Sequence, residues 1–228
     1  FVGEYIPVRE AVDLAVSKTG PVCLLDMGDN VGGGSAGDST LIAHEIHQRR
    51  DTTAFVCLFD VASQNAAREA GLGASLTLSM GGKTDDRHGD PLTADVTVKS
   101  LHDGKFEESE IRHGGYTHFD MGLTAVVTTE TGLTISLTSR RVVPVSLGVV
   151  TSIGLDPGDF QILIAKGVHA PVAAYAPVCT ELIRVNTGGA TAADMRTFEY
   201  RYRRRPMYPF EEIEGGYAPS ATGSLPLS

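Results

Sequence analysis

The sequence predicts a mixed α/β fold, with an N-terminal α/β layer and a largely antiparallel β segment in the middle. Two observations support this prediction. Residues 1–72 alternate between short apolar runs and segments whose apolar residues have helical spacing, which favours a parallel sheet covered by helices. From Gly73 onward, short alternating segments rich in β-branched residues follow one another with turn signals between them. With 42% hydrophobic and 21% charged residues, the 228-residue chain has the composition of a globular protein.

The N-terminal layer, residues 1–72, contains alternating helical and strand-like segments. Its first helical segment ends near Gly20 and its last near Gly71, as is typical of helix termini. Alternation of this kind indicates parallel strands joined by helices. The expected elements are, in order, a helix at 10–17, a strand at 21–25, a helix at about 39–49, a strand at 53–59 and a helix at 62–70.

The middle part, residues 73–140, reads as antiparallel strands. Asp103-Gly104 lies between two strand-like runs and is a strong hairpin signal, because this dipeptide suits a tight turn with positive φ. Thr131-Gly132 is a weaker hairpin signal between the last two runs. The expected strands are 75–80, 94–101, 105–110, 124–129 and 133–139.

The last part, residues 141–213, is mixed. It contains a strand at 160–165, a short helix at 171–176 and a strand at 181–185. Residues 1–213 are therefore expected to form one domain, followed at 214–228 by a flexible tail that lacks periodicity.

The most informative segment is the glycine loop, which we define as residues 26–40. It follows an apolar strand and precedes a helix, an arrangement that presents backbone N–H groups to an anion or a polar ligand. It does not fit a phosphate-binding P-loop, because Asp38 occupies the place of the lysine. A dinucleotide fingerprint can only be forced onto the glycines and is a weak match. The candidate ligand-contacting residues are Asp29, Asn30, Gly32, Gly33, Gly34 and Asp38.

Structural explanations for the same residues stay open. The glycines could simply supply positive φ in a tight turn, and Asp38 could cap the helix that follows. Asp26, Asp29 and Asn30 could form Asx-type turns. A third alternative is a metal or sugar-acid site that uses the three aspartates of the loop.

Other candidates lie outside the glycine loop. Lys166 and His169 follow the strand at 160–165, where ligands of open α/β sheets bind, although the Lys could reach solvent and the His could cap a helix. The polar loop at 81–91 is rich in Gly, Lys, Asp and His, and is either functional or a solvated connection. His44 and His47 are three residues apart and are more often surface residues than metal ligands in this pattern.

Charge and cysteine content restrict the function classes. The net charge of −9 disfavours nucleic acid and anionic membranes as partners. No apolar run approaches the roughly 20 residues of a membrane span, and the start lacks a signal peptide. Three cysteines, each in or beside an apolar run, favour reduced buried thiols and a cytoplasmic location.

Taken together, the motifs resemble the carboxy-terminal domain of the microcystinase C (MlrC-type) metallopeptidase family. The glycine loop resembles the family pattern D-x-x-D-N-P-G-G-G-x-x-G-D-x-T, with Val31 in place of the usual Pro. The similarity runs from about Asp26 to Phe210, and Gly188 stands where a Pro is expected. The further matching segments are 81–85, 89–92, 138–141, 154–157, Lys166 with His169, and 205–209.

The resemblance implies a two-domain zinc hydrolase that cleaves peptide or amide bonds. It places the zinc ligands in an N-terminal metal-binding domain outside this chain, so that this chain contributes loops to the substrate cleft. Lys166 and His169 are then expected to contact substrate or transition-state charge, and the glycine loop is expected to bind substrate. The alternative is a non-catalytic binding or assembly module that packs on a partner domain, and a homo-oligomer is possible.

Overall fold

A computed structural model describes residues 6–211. The described residues up to Ala193 belong to one compact unit, and those from Asp194 onward belong to a second. The first unit is built on a large, mostly parallel sheet, which confirms the predicted mixed α/β class. Within residues 6–211, no helix combines the length and the apolar character that crossing a membrane requires.

Nine of the described strands form one sheet. They are β1 (Ile6–Pro7), β2 (Val22–Asp26), β3 (Ala54–Phe59), β4 (Ser75–Met80), β5 (Leu92–His102), β8 (Thr124–Thr129), β9 (Leu133–Thr138), β10 (Ile162–Ala165) and β11 (Glu181–Asn186). Their order in the sheet is β1-β11-β2-β10-β3-β9-β8-β5-β4. Neighbours from β1 to β9 in this order are parallel, and neighbours from β9 to β4 are antiparallel. A separate two-stranded sheet pairs β6 (Lys105–Glu107) with β7 (His118–Asp120).

Helices cover the parallel strands, as the alternating pattern predicted. The helices are α1 (Val8–Val16), α2 (Leu41–Arg49), α3 (Val61–Ala70), α4 (Gly148–Thr151) and α5 (Val172–Tyr175). The short helix α4 was not predicted, and the ends of the other four lie within two residues of the predicted ends, which is the usual scatter at helix termini.

The central strands are buried on both faces. In β2, Val22 and Leu24 belong to a core cluster with α1, α2 and α3. Cys23 and Leu25 belong to a second cluster that includes Tyr175. Successive side chains of a strand point to opposite faces, so a continuous apolar run fills both clusters. This explains why the segment looked apolar throughout rather than alternating.

The antiparallel strands are not a separate layer. β9 pairs in parallel with β3 and antiparallel with β8, so it joins the two halves into one sheet. The Thr131-Gly132 hairpin signal is confirmed, because β8 and β9 pair directly across it.

The Asp103-Gly104 hairpin prediction is wrong. β5 pairs with β4 and β8, whereas β6 leaves the main sheet and pairs with β7. The local turn chemistry is present: Asp103 Oδ1 accepts the backbone N–H of Lys105, and Gly104 has φ of +73°. The turn is a corner between two sheets, because His102 is already paired with Thr124 of β8.

The second unit is described only from Asp194 to residue 211. Arg203 forms an ion pair with Glu211 and lies 4.4 Å from the ring centroid of Phe210. Hydrogen bonds from Arg203 and from the backbone N–H of Met207 lower the pKa of Glu211 to about 2. The predicted tail at 214–228 lies outside the described residues.

The corner at Gly104 provides a test of backbone packing. A Cβ at Gly104 would lie 2.0 Å from the carbonyl oxygen of Gly122, whereas a Cβ at Gly73, which also has positive φ, meets nothing within 4 Å. We expect Gly73→Ala to lower the free energy of unfolding by about 1–2 kcal/mol through backbone strain alone. Gly104→Ala should lose at least about 2 kcal/mol more, because the backbone must move. Equal losses in urea denaturation would contradict this account of the corner.

Candidate functional site

The carboxyl ends of three adjacent parallel strands bring the predicted charged residues together. β2 lies between β10 and β11 in the sheet. Ala165 of β10 is in register with Leu25 of β2, which places Lys166 beside Asp26. Thr187 follows the end of β11 on the other side of β2. Strand order and register therefore assemble one polar cluster from three distant segments.

Lys166 is the centre of this cluster. Its Nζ lies 2.8 Å from Asp26 Oδ2 and 3.3 Å from Asp29 Oδ2, and it also donates to the carbonyl oxygen of Ser39. Its side chain is 4% exposed, and those of the two aspartates are 0% exposed. The hydroxyl of Thr187 donates to Asp26 Oδ1. The ammonium thus contacts two enclosed carboxylates at once and reaches the far end of the glycine loop.

Asp29 organises the glycine loop from within. Its Oδ1 accepts the backbone N–H of Gly37 at 2.6 Å, and its Oδ2 accepts the N–H of Ser39 at 2.8 Å. Gly37 has φ of +76°, a conformation that glycine adopts without strain. The loop therefore closes around a carboxylate that belongs to the loop itself.

The electrostatics of this pair follow from burial and partners. Burial alone raises the pKa of Asp29, but the Lys166 ammonium and the N–H groups of Ser39 and Gly37 outweigh it, so the pKa is lowered below its ordinary value of 3.8. Burial alone lowers the pKa of Lys166, but the carboxylates of Asp26 and Asp29 raise it above its ordinary value of 10.5. Both groups are therefore charged at neutral pH.

Asp38 ties the polar loop, residues 81–91, to the glycine loop. Its Oδ2 accepts the N–H of Lys83 at 2.9 Å, the N–H of Thr84 at 3.0 Å and the Thr84 hydroxyl at 2.9 Å. The suggested helix cap by Asp38 is wrong, because α2 begins after Thr40 and has no side-chain cap. Three donors in the polar loop compete for the same carboxylate oxygen. The side chain therefore joins two loops instead of capping a helix.

His88, from the polar loop, joins the same cluster. Its Nδ1 lies 2.7 Å from Asp85 Oδ1, and its Nε2 lies 2.8 Å from the hydroxyl of Ser35. The backbone N–H of Ala190 also donates to Nε2, at 3.2 Å. Since Nε2 accepts this bond, Nδ1 carries the proton and donates it to Asp85. The serine had no evident base in the sequence, and the fold supplies one 53 positions away.

This Ser–His–Asp chain has the spacing of a catalytic relay but not the access. Ser35 is 3% exposed and His88 is 0% exposed. The Ser35 hydroxyl is also 3.3 Å from the carbonyl oxygen of Gly28, which offers it a second acceptor. A nucleophile must reach a substrate carbonyl. The Ser35–His88–Asp85 set is therefore a structural connection between the glycine loop and the polar loop in this conformation.

The predicted site residues separate into an enclosed group and an accessible group. Asp29, Asp38 and Lys166 are enclosed, and the cavity beside Lys166 measures only about 10 Å³, room for about one water. Asn30 is half-buried, and Gly32, Gly33 and Gly34 are exposed. Substrate contact by any of these residues stays a prediction. In this conformation the enclosed side chains can act on a ligand only through the loop that they hold.

The hydrogen bond that His169 makes among the described residues does not involve the Lys166 cluster. His169 is exposed, and its carbonyl oxygen accepts the N–H of Val172 at the start of α5. The helix cap considered from the sequence is not made by its side chain, because α5 has no side-chain cap. A role for His169 in catalysis remains a prediction.

The described residues do not fit a zinc site. Within residues 6–211, no group of three or more His, Cys, Asp or Glu side chains could hold a metal ion. The oxygen atoms of Asp26 and Asp29 are occupied by the Lys166 ammonium, by the Thr187 hydroxyl and by backbone N–H groups. Asp38 Oδ1 has no partner among the described residues, but one free carboxylate oxygen is fewer than the three protein ligands of a catalytic zinc.

The Lys166 cluster yields a stability prediction. We expect Lys166→Met to lower the free energy of unfolding by about 3–5 kcal/mol near pH 7, because it leaves two buried carboxylates without a cation. Lys18→Met is the matched control: Lys18 lies 2.7 Å from Glu181, but both side chains are more than a third exposed. That pair should contribute below about 1 kcal/mol.

The stability lost in Lys166→Met should depend on pH, because the pKa values of Asp29 and Lys166 are both shifted in the folded protein. The lowered pKa of Asp29 stabilises the fold above about pH 4 and loses this effect as the pH falls through the folded value. The raised pKa of Lys166 stabilises the fold up to its unfolded pKa, near 10.5, and loses this effect as the pH rises through the folded value. Urea denaturation at several pH values should therefore show that Lys166→Met lowers the free energy of unfolding most between about pH 4 and about pH 10.5. A loss that is the same at pH 3 and pH 7 would contradict the role of ionised Asp29.

The enclosed Ser35 gives a further prediction. We expect Ser35→Ala to lower stability by about 1 kcal/mol, because His88 loses a buried hydrogen bond. Ser100→Ala is the control: Ser100 also lies 2.8 Å from a histidine Nε2, that of His102, but this pair is only partly buried. The control should lose less. A fluorophosphonate should leave the wild-type chain unmodified by mass spectrometry, and an adduct mapped to Ser35 would show that the hydroxyl is accessible.

Sequence reasoning missed several of these partners. It named Lys166, Asp26 and Asp29 but did not pair them, and it did not single out Thr187 or His88. The available signals were indirect: Thr187 comes two residues after the end of the predicted strand at 181–185, and His88 lies in the polar loop that was already noted.

Comparison with known proteins identifies the family. Residues 24–202 match the family model described as MlrC C-terminus, which is more than half of the chain. Microcystinase C from Sphingomonas sp is 25% identical over 204 residues, a match that covers 89% of this chain and 38% of the relative. A crystal structure of a protein from Mesorhizobium sp. BNC1, provisionally described as a metallopeptidase, superposes with a TM-score of 0.81 at 26% identity, covering 96% of this chain and 43% of the other. This chain therefore spans less than half the length of either relative, and it belongs to the MlrC C-terminus family.

Proposed function

We propose that this chain is the carboxy-terminal part of a longer metallopeptidase-like hydrolase that cleaves peptide or amide bonds. Its family and its two longer relatives support this proposal. The share of each relative that the chain covers leaves room for a further domain, which we propose carries the metal. The observation that carries the proposal is the glycine loop: an exposed turn held by a buried ion pair at the carboxyl ends of parallel strands.

The accessible part of the glycine loop is the segment suited to touch substrate. Residues 31–33 form a single 3-10 turn that ends at Gly34, whose φ is +93°. The N–H groups of Val31, Gly33 and Gly34 donate to backbone carbonyl oxygens of this chain, so the proposed donor to a substrate carbonyl is the N–H of the exposed Gly32. Asn30 fixes the start of this turn, because its carbonyl oxygen accepts the N–H groups of Gly33 and Ser35. Asp29 and Lys166 then contribute by holding the turn in place.

We propose zinc as the metal, held by residues of a further domain outside this 228-residue chain. Bound zinc supplies an activated water and a Lewis acid for amide hydrolysis. The contribution of this chain is to bind and orient substrate near that centre and to exclude bulk water. His169, exposed just beyond β10, is the proposed donor to substrate or to developing negative charge.

Metal content and activity test this proposal. The 228-residue chain should hold no stoichiometric zinc after dialysis, measured by plasma mass spectrometry, because residues 6–211 contain no group of three or more side chains that could hold a metal ion, and Asp26 and Asp29 are paired with Lys166. The longer protein should hold zinc, should hydrolyse short peptides, and should lose this activity with 1,10-phenanthroline and regain it with added zinc. His169→Ala in the longer protein should lower kcat about 10-fold or more if it acts on transition-state charge. Unchanged kcat with an unchanged melting temperature would remove His169 from the site, and zinc retained by the short chain would overturn the metal assignment.

A further inference from the structure

A side pocket of about 400 Å³ opens next to the exposed glycine turn. We define it by Gly32 on one side, the turn before β7 and β7 itself on the second, and the segment after β9 on the third. Its volume is within the range of small-molecule sites. Because Gly32 is part of its wall, a ligand in this pocket would lie against the turn that we propose touches substrate.

The wall of the side pocket combines apolar and aromatic side chains with three polar ones besides Arg141, namely His113, His118 and Asp120. Tyr116 and Phe119 line one side, and Val143 and Val145 line the other. Phe119 stacks on Phe106 with ring centroids 4.7 Å apart and planes 6° apart, so its orientation is fixed by packing. Tyr116 is 66% exposed, which leaves its ring free to cover a ligand. Such walls suit a hydrophobic side chain of a short peptide.

Arg141 gives the pocket a specific charge. Its Nε donates to the carbonyl oxygen of Ala36 at 2.8 Å, and its guanidinium lies 4.7 Å from the ring centroid of Phe59. These two contacts orient the side chain but use only one of its five N–H donors. No carboxylate among the described residues pairs with it, whereas the neighbouring Arg140 pairs with Asp120. An oriented guanidinium with free donors matches a carboxylate, which it can bind through two parallel hydrogen bonds.

We propose that the side pocket binds the C-terminal end of a short peptide, with Arg141 on the terminal carboxylate and the aromatic wall on the last side chain. This inference rests on the proposed hydrolase function and names the substrate class: peptides that end in a free carboxylate after a hydrophobic residue. The charge of the whole chain strengthens the argument. At a net charge of −9 the protein does not attract anions in general, so a carboxylate requires a local cation.

The first test compares two ligands on the wild-type 228-residue chain. N-acetyl-Ala-Phe carries the carboxylate, and N-acetyl-Ala-Phe amide has the same shape without the charge. Calorimetry should show that the acid binds at least about 10-fold more tightly, because hydrogen bonds between two charged groups are stronger than those to a neutral amide. Methyl NMR should show that the acid shifts the valine signals of the 142–145 segment. Equal affinities, no binding, or shifts confined to other methyl groups would overturn the proposal.

The second test removes the guanidinium. Arg141→Gln should abolish the preference for the acid while leaving the affinity for the amide within about twofold. Arg141→Lys should keep part of the preference, because it retains the positive charge but not the planar guanidinium that can form two parallel hydrogen bonds. Arg68→Gln is the matched control, since Arg68 is an exposed cation on α3 that does not line this pocket. Circular dichroism establishes that each variant is folded, and if Arg141→Gln does not fold, the wild-type comparison decides the matter.

These measurements separate the two proposals. Binding to this chain requires neither zinc nor hydrolysis, so acid-selective binding in a longer protein that hydrolyses no peptide would refute the proposed function and leave the pocket intact. Hydrolysis of acid and amide peptides with equal kcat/KM, together with equal binding, would refute the pocket alone.

Discussion

The buried contact between Lys166 and two aspartates is the constraint on which the rest of this edge of the sheet depends. It joins the end of β10 to the end of β2 and, through Asp29 and Ser39, to the far side of the glycine loop. Removing charges from water is costly, and a buried ion pair often contributes little net stability compared with apolar residues of the same size. Its value here is geometric. An unpaired carboxylate at either position would be strongly unfavourable, so loop conformations that break the contact are excluded.

The consequence is a division of roles within one loop. The carboxylates point inward and satisfy N–H groups of Gly37, Ser39, Lys83 and Thr84. Gly32, Gly33 and Gly34, between Asp29 and Asp38, lie at the surface, where the absence of side chains leaves the backbone accessible. A glycine-rich turn would otherwise be mobile, since glycine loses the most conformational freedom on ordering. Internal hydrogen bonds to fixed carboxylates offset that cost and hold the exposed backbone in a single geometry. An acidic loop can thus present exposed backbone to a ligand although the loop carries negative charge, because its carboxylates form hydrogen bonds inside the fold.

The sequence allowed most elements to be predicted but few of their contacts. Ser75–Met80 and Thr124–Thr129 were predicted with the observed ends, because turn residues bound each run on both sides. Asp103-Gly104 failed as a hairpin signal because turn chemistry is local and does not say which strand is the partner. For the same reason Lys166 and Asp26 could each be placed after a strand, while their contact depends on β10 being inserted next to β2 from 140 positions away. His88 shows the same limit: its loop was noted, but its partner Ser35 lies across the fold.

Charge pairing around the glycine loop also explains why Arg141 stands out. Three cations near this loop each contact aspartate: Lys166 contacts Asp26 and Asp29, Lys83 contacts Asp60, and Arg140 contacts Asp120. Arg141 instead contacts a carbonyl oxygen and an aromatic ring, neither of which neutralises it. The chain has nine more acidic than basic residues, so carboxylates that could pair with Arg141 are abundant. A shortage of carboxylates therefore does not explain why Arg141 has no carboxylate partner among the described residues. Arg141 lies on the wall of a pocket that also contains Gly32, so the carboxylate of a bound ligand could form the ion pair that the protein itself does not supply.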